Sequence, residues 1–61
     1  MSPHEEAVEY AAQRIWEVRM GHHYPFVPWH KVHPDLKSVY REMATAAIVA
    51  CKIVEAKYER N

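Results

Sequence analysis

In the second half of the chain the apolar positions fall at Leu36, Tyr40, Met43, Ala47, Ala50 and Val54, in steps of 4, 3, 4, 3 and 4. A repeat averaging 3.5 residues is the seam of a helix packed lengthwise on a near-parallel or antiparallel partner. Val39, Ala46 and Ile53 flank this seam on one side, while Ala44, Ile48, Cys51 and Tyr58 widen it on the other. An apolar arc that broad predicts a helix covered on more than one side. Ala44, Ala46, Ala47 and Ala50 remove bulk from its middle, so a second backbone can come close there. At the start, Pro34 suits the first helical position, where a missing N–H costs nothing. Asp35 adds negative charge to the first turn, and His33 takes the N-cap position. No glycine or further proline follows Pro34, and the pattern predicts a helix over 34–59.

The first half carries a second helical pattern. Ser2 is the cap, Pro3 the first helical residue, and Glu5 stands three after the cap as in a capping box. Val8, Ala11, Ala12, Ile15, Trp16 and Arg19 follow the helical repeat, while Glu5, Glu6, Glu9, Gln13, Arg14 and Glu17 form a solvated face. Gly21 is the expected stop, in the left-handed conformation usual at a C-cap, so the first helix should cover 3–20.

Between them lies a loop over 21–33. Pro25 and Pro28 push the residues before them out of the helical region, so Tyr24 to Pro28 should be extended, and Trp29 to Val32 should form a single turn. Phe26 and Trp29 are expected to fold over the open end of the hairpin as a lid, meeting Trp16. Tyr24 and His23, further out, are the expected partner-binding residues. The helices should be about 27 and 39 Å long. An antiparallel hairpin therefore leaves about two turns of the second helix, near Ile53 to Tyr58, without a partner in the same chain. The expected architecture is all-α: one helical-hairpin domain over 1–61, dimerising into a four-helix bundle. Tyr40, Met43, Ala47, Ala50 and Val54 would form the dimer interface.

Size and charge sharpen this picture. A chain of 61 residues buries only about 60% of its unfolded surface and needs a staple or a partner. One cysteine cannot form an intrachain disulfide, no signal-peptide or lipidation pattern is visible, and a reducing cytoplasm is the expected compartment. Lys+Arg and Asp+Glu number 8 each, for a net charge of +0. A nucleic-acid footprint would normally be basic, and zero charge leaves self-association unopposed. Arg41, Glu42, Lys52 and Glu55 interrupt the apolar run and exclude a membrane span.

Candidate chemistry is sparse. His22-His23 and His30-x-x-His33 suggest a metal, with His30 and His33 the weak candidates, but structural zinc wants four ligands and no carboxylate cluster completes the set. No metal or cofactor is expected. Cys51, on an apolar helical face remote in sequence from every histidine, reads as a buried small hydrophobe rather than a nucleophile. Arg19 and Arg41 are better placed for an ion pair across the hairpin, or for solvent, than for phosphate.

The run PWHKVHPDLKSVYREMATAAIVA, about 23 residues, resembles a pattern in small proteins of actinobacteria and their bacteriophages. In it a tryptophan precedes a short turn and a helix with Leu, then Tyr-Arg, then spaced alanines. The matching residues are Trp29, Leu36, Tyr40, Arg41, Met43, Ala44, Ala47 and Ile48. His33 departs from the more usual acidic or hydroxyl cap. Such proteins mostly have no assigned activity; a phage or prophage origin would imply a small cytoplasmic accessory protein that binds a host protein. The expected function is thus non-enzymatic protein interaction by a homodimer. The alternatives are a nucleic-acid-binding regulator and a histidine-based metal- or pH-responsive module.

Overall fold

The computed structural model describes residues 1–59. Two helices, α1 (Pro3–Met20) and α2 (Pro34–Glu59), are joined by a segment that contains one 3-10 turn at Trp29–Lys31. There is no strand among the described residues, and the chain is an all-α helical hairpin.

The helix ends follow from local chemistry. The Glu5 amide donates to Ser2 Oγ at 3.2 Å, satisfying one orphan donor of the first turn, and the hydroxyl in turn donates to the Glu5 carboxylate at 3.3 Å. At α2 the His33 imidazole does what a cap hydroxyl normally does. The Asp35 amide donates to its Nδ1 at 3.1 Å, while its carbonyl accepts from the Lys37 amide at 3.0 Å. Gly21 departs from the sequence expectation. Its φ is −63° and ψ −18°, right-handed rather than left-handed. Glycine is needed there for another reason: a Cβ would stand 2.5 Å from the Glu17 carbonyl oxygen.

The core is aromatic and small. Ala12 and Trp16 of α1, Trp29 and Val32 of the connection, and Tyr40 and Ala44 of α2 are buried together. The Trp16 and Tyr40 rings meet edge to face at 5.2 Å, and Trp29 closes the triangle at 6.5 Å from Trp16 and 6.4 Å from Tyr40. Both indoles keep their N–H groups paired, as buried tryptophans require: Trp16 Nε1 donates to the Val27 carbonyl at 2.7 Å, and Trp29 Nε1 to Glu9 at 2.8 Å. Trp29 acts as the lid. Phe26 does not, being 42% exposed.

The first helix runs obliquely across the second. Glu9 and Arg19 are ten residues apart on α1, about 15 Å, yet Glu9 meets Arg41 while Arg19 meets Tyr40 and Met43 within the same turn of α2. As a result α1 covers only a short stretch of its partner. The residues of α2 at least half-buried are Lys37, Tyr40, Arg41, Met43, Ala44, Thr45 and Ile48. Every residue from Val49 to Glu59 is exposed, three turns rather than two.

Candidate interaction surface

An α-helix advances 100° per residue, so α2 divides into two faces. One, centred between Tyr40 and Ile48, packs on α1. The other lies about 130° away and carries Leu36, Val39, Met43, Ala46, Ala50 and Ile53, in steps of 3, 4, 3, 4 and 3. Ala47 and Val54 border it. No charged residue enters this second stripe between Leu36 and Val54, and apart from the half-buried Met43 all its members are exposed, with Ile53 at 63%. The Arg19 guanidinium reaches Met43 Sδ at 3.9 Å and lies 5.8 Å from the Tyr40 ring.

The expected interface residues divide between these faces. Tyr40 is 5% exposed in the intrachain core, so its ring belongs to the hairpin and not to an outer interface. Met43 sits at the edge of both faces, whereas Ala47, Ala50 and Val54 are exposed. The expected seam combined residues from two different stripes. The oblique crossing explains why, since it turns Tyr40 and Ala44 inward and leaves Leu36, Ala47 and Ala50 outside.

The surface of this chain is large for its mass. It exposes 5068 Å². The surface scaling of folded monomers gives about 4100 Å² at 7.2 kDa, an excess of roughly 950 Å². That is close to the ~800 Å² that one partner buries in an interface of standard size.

A polar junction closes the other side of the hairpin. Arg41 Nε donates to Glu9 Oε2 at 2.7 Å and Nη2 to Oε1 at 3.2 Å, while Trp29 Nε1 shares Oε1. Arg41 first, then Trp29, holds the Glu9 carboxyl below its ordinary pKa, and Glu9 in turn raises that of Arg41. The expected ion pair across the hairpin is therefore made by Arg41, and Glu9, expected on the solvated face, is half-buried at its centre. Glu9 stands three residues before Ala12 and seven before Trp16, so it shares their helical face, and only its charge puts it with the solvated residues. Its partner is set by the crossing. Beside the junction is an open groove of about 400 Å³ between Met1, His4, Val8, Arg41 and Thr45.

The remaining candidates are dispersed. Tyr24 is fully exposed, and His23 is exposed beside it. His30 is exposed on the 3-10 turn, and His33 uses Nδ1 for its cap. Among the described residues no three His, Cys, Asp or Glu side chains stand close enough to share a metal ion. Cys51 is exposed rather than buried, and its thiol stands 3.5 Å from Glu55. The hydrogen bond to that carboxylate, then its charge, raises the thiol pKa, away from the thiolate a nucleophile needs. No described helix is long and apolar enough to cross a membrane. Comparison with known proteins gives no match to a family model, a curated protein or a solved structure.

Proposed function

We propose that this chain is a non-enzymatic interaction protein that acts as a homodimer, two hairpins joining into a four-helix assembly through the outer stripe of α2. The observation that carries the reading is that charge-free stripe, with the roughly 950 Å² of surface beyond what a folded chain of this mass exposes. A small domain that hides such a face adds stability to what its own small core supplies. Zero net charge opposes nothing in that association.

The dimer would leave the connection between the helices outward. Tyr24 and His23, exposed and free of core duties, are the residues we assign to contact with a second protein. The resemblance to small actinobacterial and phage proteins makes a host protein in the cytoplasm the partner. No cofactor enters this reading, and the two best-placed chemical groups are otherwise engaged: Glu9 is held by Arg41, and the Cys51 thiol is raised by Glu55.

Light scattering tests the association. At high micromolar concentration the mass should be twice the 7.2 kDa of one chain and fall on dilution. A monomeric mass with intact helicity at that concentration would overturn the reading. For the second protein, capture from the host with Tyr24→Ala and His23→Ala beside the parent should show weaker retention without loss of melting temperature.

A further inference from the structure

We infer that the two copies pair antiparallel along α2, with Leu36, Val39 and Met43 of one protomer facing the partner's Ile53, the partner's Ala50 and the partner's Ala46. This rests on the dimer reading above and adds its direction and register.

Three observations converge on it. The stripe Leu36, Val39, Met43, Ala46, Ala50, Ile53 is symmetric about its own middle, because its steps of 3, 4, 3, 4 and 3 read the same in both directions. Reversing one copy therefore brings every stripe position onto another stripe position. It also pairs Val39 with Ala50 and Met43 with Ala46, a larger residue against a smaller one, which lets side chains interdigitate at close-packed density. A parallel arrangement would pair each residue with itself, leaving Ala46 against Ala46 and Ala50 against Ala50 with space between the helices.

The second observation is charge. Asp35 and Lys57 fall on the line of the stripe at its opposite ends, about 33 Å apart. Antiparallel pairing sets each Asp35 near the partner's Lys57. Parallel pairing sets like charges together at both ends, an unfavourable arrangement that also aligns the two helix dipoles.

The third is the placement of α1. Burial along α2 ends at Ile48, and every residue from Val49 to Glu59 is exposed in the single chain. In the antiparallel pair residues 49–53 of each free end face the partner's Leu36–Tyr40 region, and residues 54–59 run on past the start of its second helix. In a parallel pair the two free ends would have only each other.

Cysteine cross-linking reads the direction. In a Cys51→Ser background, Val39→Cys and Ala50→Cys are made on separate chains; both positions are exposed, so the hairpin persists, as circular dichroism will verify. A disulfide needs Cα atoms within about 7 Å. In the antiparallel pair the two copies of position 39 lie about 16 Å apart along the axis, whereas position 39 faces position 50. After the two variants are refolded together and oxidised, the mixture should yield a covalent dimer containing one of each. Each variant alone should stay uncross-linked. Self-cross-linking of Val39→Cys would overturn the antiparallel direction. Absence of any cross-link, with the parent dimeric by light scattering, would overturn the stripe as the interface. A monomeric parent would remove the dimer reading and this pairing together.

Discussion

The indole of Trp29 donates to the Glu9 carboxylate at 2.8 Å, and the same carboxylate holds Arg41 of α2 in a two-point contact at 2.7 and 3.2 Å. One acid thus ties the connection, the first helix and the second helix. Its position is set by the crossing of α1 over α2, and the triangle of three buried rings lies beside it.

Glu9 should make the hairpin acid-sensitive. Its pKa is lowered from 4.5 in the folded chain, chiefly by the Arg41 hydrogen bond and then by Trp29. A depressed acid contributes stability that is present above the unfolded value and lost as pH falls through the folded one. The advantage of the parent over Glu9→Gln should therefore be constant from neutral pH to about 5 and shrink below about 4.5. Because the carboxylate is about a third exposed, the difference at neutral pH should be about 1–2 kcal/mol. Denaturant melts of the two proteins from pH 7 to pH 3 check this; a difference that does not change with pH would contradict it.

Trp29 should be worth more than any other residue of the connection. Trp29→Ala removes the third ring of the triangle and should cost about 3–5 kcal/mol, enough to unfold a domain this small. Trp29→Phe keeps most of the packing and forfeits the hydrogen bond to Glu9, a loss of about 1–2 kcal/mol. Tyr24→Ala, at a fully exposed position, should stay within about 0.5 kcal/mol of the parent. A thermal melt of the three variants separates these outcomes. If Trp29→Ala melted like the parent, the ring triangle would not be the core.

The two fully buried alanines mark where the helix backbones approach. Ala12 and Ala44 are 0% exposed, so neither has room for a longer side chain. Ala12→Leu or Ala44→Leu should destabilise by about 1–3 kcal/mol through overpacking. Ala46→Leu, on the outer stripe, should leave the hairpin's own stability unchanged, since leucine is nearly as good a helix former as alanine. Chemical denaturation at a concentration too low for association compares them on the same footing.

Much of the fold was legible in the sequence because it is written in local signals. Ser2, Pro3 and Glu5 mark the start of α1 and Pro34 that of α2, each through chemistry within four residues. Trp16 and Trp29 could be brought together because one lies near the end of a helix and the other shortly precedes one. The division of α2 into two faces was not legible in the same way. Leu36, Tyr40, Met43 and Ala47 satisfy a 3.5-residue repeat as well as Leu36, Val39, Met43 and Ala46 do, and only the oblique path of α1 decides between them. That path also brings Arg41 to Glu9, which shares a helical face with Ala12 and Trp16 but is grouped with the solvated residues for its charge. Cys51 fails for a related reason: its neighbours are apolar, but α1 does not extend far enough to cover them.

Ala47 and Ala50 offer a clean separation of hairpin from dimer. Both are exposed, so a charged side chain at either meets solvent in the single chain and should leave the core of Trp16, Trp29 and Tyr40 intact. In the dimer the same charge would be taken out of water opposite an apolar partner stripe, without a counter-ion, and a desolvated unpaired charge costs several kcal/mol. Ala50→Glu lies at the centre of the stripe's second half and should be the more severe; Ala47→Glu borders it and should be milder. Light scattering should therefore give a monomeric mass for Ala50→Glu at concentrations where the parent is dimeric. Circular dichroism should retain the helicity of α1 and of α2 up to about Ile48, with fraying confined to the turns beyond it, because every residue there is exposed in the single chain. Near-ultraviolet signals from the buried tryptophans should be those of the parent. If Ala50→Glu stayed dimeric at the same concentrations, the interface would have to lie on another face. If it lost its tryptophan signal along with its partner, the hairpin would depend on association to fold.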